Sequence, residues 1–133
     1  MTASCQTVQE LRVRTVRVPM QDPHRTASGI ITESPLVLID IVTSDGVTGH
    51  SIVFTYTAAA LEPTANLIRN LEPLLLGEQL APAELERQLR ARFRLLGTQG
   101  LVGMALAGID MALWDALARS QHLSLARLIG RAS

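Results

Sequence analysis

The alternation of apolar and polar side chains divides the chain into a β-rich first part and a helical second part, with the change near Tyr56. Residues 11–18 (LRVRTVRV) alternate branched apolar residues with arginine, which predicts a half-buried strand that ends at Pro19. Residues 36–54 contain two β-branched runs around an Asp-Gly pair at 45–46, the pattern typical of a hairpin. We therefore predict three antiparallel strands.

The segment that joins the first strand to this hairpin, residues 19–35, is too long for a tight turn. Its prolines and polar residues indicate a loop, and loops of this length inside compact domains are commonly functional or disordered. We expect residues 19–35 to be the least ordered internal segment.

Three helices are predicted after Tyr56, over residues 57–77, 81–97 and 100–120. Thr57 can cap the first and Gly77 can end it, with Pro63 in an early turn or at a break. In the second helix Pro82 occupies the first position, and the predicted apolar stripe consists of Leu85, Leu89, Phe93 and Leu96. The third helix is apolar on nearly every side, which indicates burial against several neighbours.

These elements predict an α+β fold, in which a three-stranded antiparallel meander precedes a bundle of three to four helices. The chain of 133 residues suits one domain. Its hydrophobic fraction of 47% is high for this size, so we expect some apolar surface to face a partner or another domain.

Charge and cysteine content narrow the possible partners and the compartment. Twelve basic and 12 acidic residues give a formal net charge of zero, which provides no electrostatic basis for binding nucleic acid or an anionic membrane. The single cysteine, Cys5, excludes an internal disulfide. We identify no signal peptide and no uninterrupted apolar span, and we predict a cytoplasmic protein without a membrane partner.

Few residues have the spacing that chemistry requires. The chain contains no lysine, and its histidines, at positions 24, 50 and 122, lie on three separate elements. Asp110 and Asp115 are about 140° apart around a helix, so one ligand could not easily meet both. We interpret each as a structural acceptor of hydrogen bonds from arginine or backbone donors, because a buried unpaired carboxylate is costly.

One stretch is more specific. Residues 105–130 (ALAGIDMALWDALARSQHLSLARLIG) contain Asp110, Asp115, a basic Arg119 and a closing Leu-Ile-Gly at Gly130. This pattern resembles that of the mandelate racemase and muconate lactonizing enzyme branch of the enolase superfamily. The likeness extends over the chain from about Leu11 and is greatest to the mandelate racemase subgroup, through VPM, SPLVLIDIVTSDGVTGHS and AGIDMALWDAL.

The resemblance implies a two-part enzyme, in which an N-terminal α+β capping domain closes over the mouth of a C-terminal TIM barrel. We expect residues 1–133 to be a single capping domain, with the catalytic barrel absent from this chain. The barrel of the same protein would then be its partner, and would supply the lysine base and the carboxylates for Mg²⁺. We expect no catalytic residue, metal ligand or cofactor in this chain.

The implied chemistry is abstraction of the proton α to a carboxylate, followed by racemisation of a 2-hydroxy acid or dehydration of a sugar acid. Matching of the family's pocket positions points to His24, Arg25, Ile31 and Tyr56 as substrate-binding residues. A polar wall at His24 and Arg25 favours a hydroxylated acid over mandelate, and the alternative is that both residues lie at a solvated loop tip. The family also implies a homo-oligomer.

A second class of function remains open from the chain itself. A stand-alone, non-enzymatic α+β module could use its apolar third helix to dimerise or to bind a partner. Continuation of the reading frame into a segment of barrel length would distinguish the two.

Overall fold

A computed structural model describes residues 5–130 and shows a three-stranded antiparallel sheet of order β1-β2-β3 followed by four α-helices. The strands are β1 (Val8–Thr26), β2 (Gly29–Thr43) and β3 (Thr48–Phe54), and the helices are α1 (Leu61–Asn70), α2 (Pro82–Arg92), α3 (Leu101–Ser120) and α4 (Leu125–Ile129). The predicted fold class is confirmed.

The helices cover one face of the sheet, which we call the inner face. Side chains alternate across β2, so that its buried residues share the inner face: Pro35, Val37, Ile39, Ile41 and Thr43. α3 lies along β3 and β2, and α1 and α2 pack against α3. Because α3 is covered by the sheet and by two helices, its apolar residues form the centre of the core.

α3 approaches β3 closely at a glycine. A Cβ added at Gly49 would overlap the Ala112 carbonyl and would lie 2.5 Å from the backbone nitrogen of Ala116. Asp115 strengthens the same junction, because its Oδ2 accepts hydrogen bonds from the His50 backbone N–H at 2.8 Å and from Arg119 Nε at 2.8 Å. The start of β3 is therefore fixed on α3 by backbone packing and by one carboxylate.

The prediction of a loop over residues 19–35 is wrong. β1 continues through Pro19 to Thr26, and β2 begins at Gly29, so the segment is the distal part of a long hairpin. β1 is an edge strand, and a proline at an edge removes no ladder hydrogen bond that the sheet needs. In the central strand, Pro35 O accepts from Thr55 N at 3.0 Å, so the missing N–H of Pro35 faces the position just past the end of β3.

The first predicted helix is shorter than residues 57–77. Thr57 accepts a hydrogen bond from Ala59 N and caps a 3₁₀ turn at Ala58–Ala60, after which Pro63 lies in the first turn of α1. α1 ends at Asn70, because Pro73 has no backbone N–H with which to continue the hydrogen bonding of the helix. A second 3₁₀ turn follows at Glu72–Leu74.

The second predicted helix is also too long, because α2 ends at Arg92. Leu85 and Leu89 are buried as predicted and Phe93 packs against the core, but Leu96 is 75% exposed. α3, by contrast, begins within one residue of the predicted start and ends at the predicted Ser120.

α3 is long and apolar enough to cross a membrane by length and composition alone, and it is the one such helix within residues 5–130. Half of that segment is buried inside the domain, and core helices of globular domains meet the same criterion. Its apolar character is therefore explained by packing against the sheet and its neighbouring helices.

Candidate functional site

The distal part of the β1–β2 hairpin, residues 18–34, extends beyond the end of β3, and we call it the projecting ribbon. β3 ends opposite Leu36, so the ribbon has no third strand beside it. From Pro35 to the turn near Ser28 it reaches about 20 Å at the usual rise per residue. Every residue of 21–30 is exposed. The ribbon is thus anchored at its base and open on both faces.

The strand register brings His24 and Ile31 together. They are direct cross-strand partners, and directly opposed residues of an antiparallel pair share a face. Ile31 lies two and four positions from Glu33 and Pro35, so it and His24 share the inner face of the sheet. Two predicted site residues, His24 and Ile31, are therefore neighbours on one face of the ribbon.

Arg25 lies on the other side of the ribbon. It pairs with Ile30, one position along each strand from the His24–Ile31 pair, and therefore projects from the outer face. The structure separates Arg25 from the other predicted ribbon residues.

An irregularity in β1 sets this arrangement. Between the Pro19–Glu33 and His24–Ile31 pairs, β1 advances by five positions and β2 by two, so β1 carries a bulge. The bulge decides which β1 side chains lie opposite Ile31, and sequence patterns alone do not reveal it.

Tyr56 lies just past β3, at the base of the ribbon, with an unusual backbone. Its φ of 62° places it in the left-handed region, which costs a bulky residue roughly 1 kcal/mol or more and persists only where neighbours enforce it. Thr55 supplies part of that constraint, because its N–H and its hydroxyl both donate to Pro35 O. The Tyr56 ring packs on Phe54 with centroids 4.5 Å apart and remains 64% exposed. The chain thus presents an aromatic side chain in a fixed position.

An ion pair between Arg17 and Glu33 lies between the base of the ribbon and the His24–Ile31 pair. Arg17 pairs with Pro35 in register, and its guanidinium contacts Glu33 Oε1, with Nε at 2.9 Å and Nη2 closer. The hydrogen bonds that Arg17 donates to Glu33, together with the negative charge of Glu33, raise the pKa of Arg17. Neither Arg17 nor Glu33 was predicted as a site residue, and their opposite charge is the signal that the sequence offers for this pair.

Asp110 and Asp115 have different environments on α3. Asp115 joins α3 to β3 as described above, whereas burial raises the pKa of Asp110, and the negative charge of Glu86 on α2 adds to this effect. A hydrogen bond from Trp114 and the positive charge of Arg90 act in the opposite direction. Gly130 follows α4, and its N–H donates to Ala126 O at 2.8 Å.

No group of three or more potential ligands among His, Cys, Asp and Glu converges within residues 5–130. The described part of the chain therefore does not fit Mg²⁺, which requires several convergent oxygen ligands.

Comparison with known proteins decides the family. Residues 8–130 match the family model described as mandelate racemase / muconate lactonizing enzyme, N-terminal domain. The chain belongs to this family. The projecting ribbon, Tyr56 and the signature helix α3 are therefore parts of an N-terminal domain of the mandelate racemase and muconate lactonizing enzyme family.

Relatives with solved structures contain a region with the same fold as this chain. An enolase from Bradyrhizobium, complexed with magnesium and mandelic acid, is 45% identical and superimposes with a TM-score of 0.89 over 98% of this chain and 36% of its own. An L-talarate dehydratase from Polaromonas sp. JS666, complexed with Mg and L-glucarate, is 26% identical with a TM-score of 0.83, over 94% of this chain and 35% of its own.

A curated relative points to a further activity in the same family. An o-succinylbenzoate synthase from Listeria innocua is 25% identical over 127 residues, which are 92% of this chain and 33% of the relative. This chain spans about a third of the length of the relatives it matches.

Proposed function

We propose that this domain caps the active site of a Mg²⁺-dependent enzyme that abstracts the proton α to the carboxylate of a small acid, as a racemase of 2-hydroxy acids or a dehydratase of sugar acids. The observation that carries the proposal is the projecting ribbon, which places His24 and Ile31 side by side on the inner face, with Tyr56 held at its base. Support comes from relatives whose structures contain magnesium and mandelic acid or L-glucarate.

A cap of this kind would contribute substrate choice and exclusion of water. A ribbon with apolar and polar side chains on one face can contact the part of a substrate that is remote from the reacting carbon. Closure over the substrate strengthens electrostatic interactions at the reacting centre by removing solvent. The domain would act through binding and through closure, while its partner performs the chemistry.

That partner, in this proposal, is a C-terminal TIM barrel of the same protein, in the cytoplasm. The barrel would hold the Mg²⁺ ion and the base, since residues 5–130 bring no three ligands together and the chain has no lysine. Bound Mg²⁺ would stabilise negative charge on the substrate carboxylate.

Proton exchange tests the proposal in the protein that joins this domain to its C-terminal domain. In D₂O with Mg²⁺, the protein should replace the α-proton of at least one acid from a panel of mandelate, lactate, gluconate and galactarate, followed by NMR. Chelation of Mg²⁺ with EDTA is the control and should stop the exchange. Absence of exchange with the panel and with related acids would contradict the enzymatic proposal and favour a stand-alone binding module.

Two ribbon variants test the capping role. His24→Val should raise kcat/KM for mandelate relative to gluconate by about tenfold, because an apolar wall favours a ring and leaves a hydroxyl unpaired. Arg25→His is the matched comparison: it changes the next residue on the outer face and should leave that ratio unchanged. Equal effects of the two variants would show that the inner face does not contact substrate.

A further inference from the structure

The Arg17–Glu33 ion pair is placed on the same face of the ribbon as His24 and Ile31. Glu33 is two positions from Ile31 on β2, and Arg17 is the register partner of Pro35, which is buried on the inner face. The order from the sheet outward is therefore Pro35, the ion pair, and the His24–Ile31 pair. An ion pair in this position borders any ligand that contacts His24 and Ile31.

In the described part of the chain, the ion pair leaves one guanidinium nitrogen and one carboxylate oxygen without a hydrogen bond. Both contacting nitrogens of Arg17 bind the same oxygen, Glu33 Oε1, rather than making a two-oxygen fork. Within residues 5–130, Arg17 Nη1 and Glu33 Oε2 take part in no hydrogen bond. The side chains of Arg17 and Glu33 are 58% and 33% exposed, so these open groups are accessible.

A shallow groove begins at Arg17 and passes between β1 and the start of α1. Thr15, Ala58 and Leu61 line it beside Arg17, and Glu62 accepts a hydrogen bond from Thr15 Oγ1 at 2.6 Å. Ala58 is two residues beyond Tyr56, so the groove and the exposed tyrosine belong to the same corner of the domain. Arg17 therefore lines one end of a groove whose other wall, at Ala58, closely follows Tyr56 in the chain.

We propose that Arg17 and Glu33 are specificity-determining residues that bind the hydroxyl groups of a polyhydroxylated acid at the end remote from its reacting carboxylate. This inference rests on the proposed function and narrows it to one substrate class. A hydroxyl both donates and accepts, so the hydroxyl groups of one substrate can bind a guanidinium N–H of Arg17 and a carboxylate oxygen of Glu33. Hydrogen bonds to ionised groups are also stronger than those between neutral groups.

The charge of the pair argues against two other ligands. A second carboxylate on the substrate would be attracted by Arg17 and repelled by Glu33, so the paired residues give it little net attraction. A phenyl ring would cover the open donor and acceptor without satisfying them, which costs binding free energy. Hydroxyl groups satisfy both.

Kinetics of the two-domain protein test the inference with gluconate and mandelate as probes. Arg17→Met should lower kcat/KM for gluconate by about tenfold, the value of one lost hydrogen bond to a charged group, and should leave mandelate nearly unchanged. Glu33→Gln, which keeps an acceptor oxygen and removes the charge, should show the same direction with a smaller change.

The matched control is Arg12→Met. Arg12 forms an ion pair with Glu10 on the same strand, with Nε and Oε1 2.8 Å apart, and its even position places it on the outer face. The control variant should leave the gluconate to mandelate ratio unchanged. An equal loss of kcat/KM on both substrates in Arg17→Met would indicate a structural role and would overturn the inference. No loss on either substrate would overturn it as well.

A binding measurement separates failure of this inference from failure of the proposed function. If the wild-type protein exchanges no α-proton, calorimetric titration with gluconate still decides the role of the pair. Binding that weakens about tenfold in Arg17→Met and not in Arg12→Met supports it. Equal affinities in the two variants, or no binding by the wild type, would overturn it.

Discussion

At the scale of single residues, Asp110 is a carboxylate whose environment opposes its charge. Burial raises its pKa, and Glu86, which faces it from α2, acts in the same direction. A folded-state pKa above the unfolded value of about 4 means that the folded protein binds the proton more tightly. The free energy of unfolding therefore falls as pH rises from about 4 through the raised pKa, as far as this residue is concerned.

Asp110→Asn removes that loss. The variant should be more stable than the wild type at pH 7 by roughly 0.5 kcal/mol, a small value because the site is partly solvated. At pH 4 the difference should be smaller. Urea unfolding at the two pH values measures the effect, with Asp22→Asn, a substitution at an exposed ribbon position, as control. A less stable Asn variant at pH 7 would show that the charge of Asp110 is needed by Arg90 or Trp114.

At the scale of elements, two glycines differ in what surrounds them. Gly49 faces the backbone of α3, which cannot move without displacing the helix, whereas a Cβ at Gly108 would meet side-chain methyl groups and no backbone, with Val53 Cγ2 at 2.5 Å and Ile39 Cδ1 at 2.6 Å. The same added methyl group is therefore accommodated differently at the two positions.

Gly49→Ala should lower the free energy of unfolding by about 3 kcal/mol or more, and Gly108→Ala by about 1–2 kcal/mol, because only the second site can repack through rotamer changes. Thermal and urea unfolding of the two variants test this order. Equal losses, or a larger loss in Gly108→Ala, would contradict the view that backbone contact fixes β3 on α3.

Elements were predictable where local pattern and tertiary environment agree. α3 corresponds to a long, mostly apolar stretch between Gly100 and Ser120, and both of its ends lie within one residue of the predicted ends. The ribbon was not predicted because proline usually ends a strand. Pro19 is tolerated because β1 is an edge strand, and Pro35 because it faces the position just past the end of β3. Both are features of the assembled sheet. The adjacency of His24 and Ile31 and the Arg17–Glu33 pair depend on the bulge in β1, so neither could be found from spacing.

At the scale of the whole molecule, the most exposed apolar side chains do not lie on α3, the helix that the sequence suggested as an association surface. Within the described residues, the most exposed large apolar side chains are those of Leu95 and Leu96, just after α2, at 104% and 75%. On α3, the large apolar side chains of Leu101 and Met111 are exposed to a smaller extent. Leu95 and Leu96 are neighbours in the chain, and contiguous exposed apolar surface favours association more than scattered single residues do.

The chain of residues 1–133 alone should therefore self-associate through this patch, and the double variant Leu95→Ser with Leu96→Ser should weaken dimerisation by about tenfold or more. Light scattering over a range of concentrations measures the equilibrium. Leu76→Ser, at a 42% exposed position, is the control and should behave as the wild type. A monomeric wild type at high concentration would refute the prediction, as would an unchanged double variant.

The projecting ribbon also has a consequence for how the domain can evolve. Its residues 21–30 are all exposed and none belongs to the buried core, so substitutions there leave the contacts that stabilise the fold in place. Apart from Gly29, whose φ of 134° favours glycine, substitutions at residues 21–30 thus have little effect on stability but can alter the face that His24 and Ile31 share. If the proposed capping role holds, a lineage could exchange one acid substrate for another through substitutions that are nearly neutral for stability, with the sheet and α3 inherited unchanged.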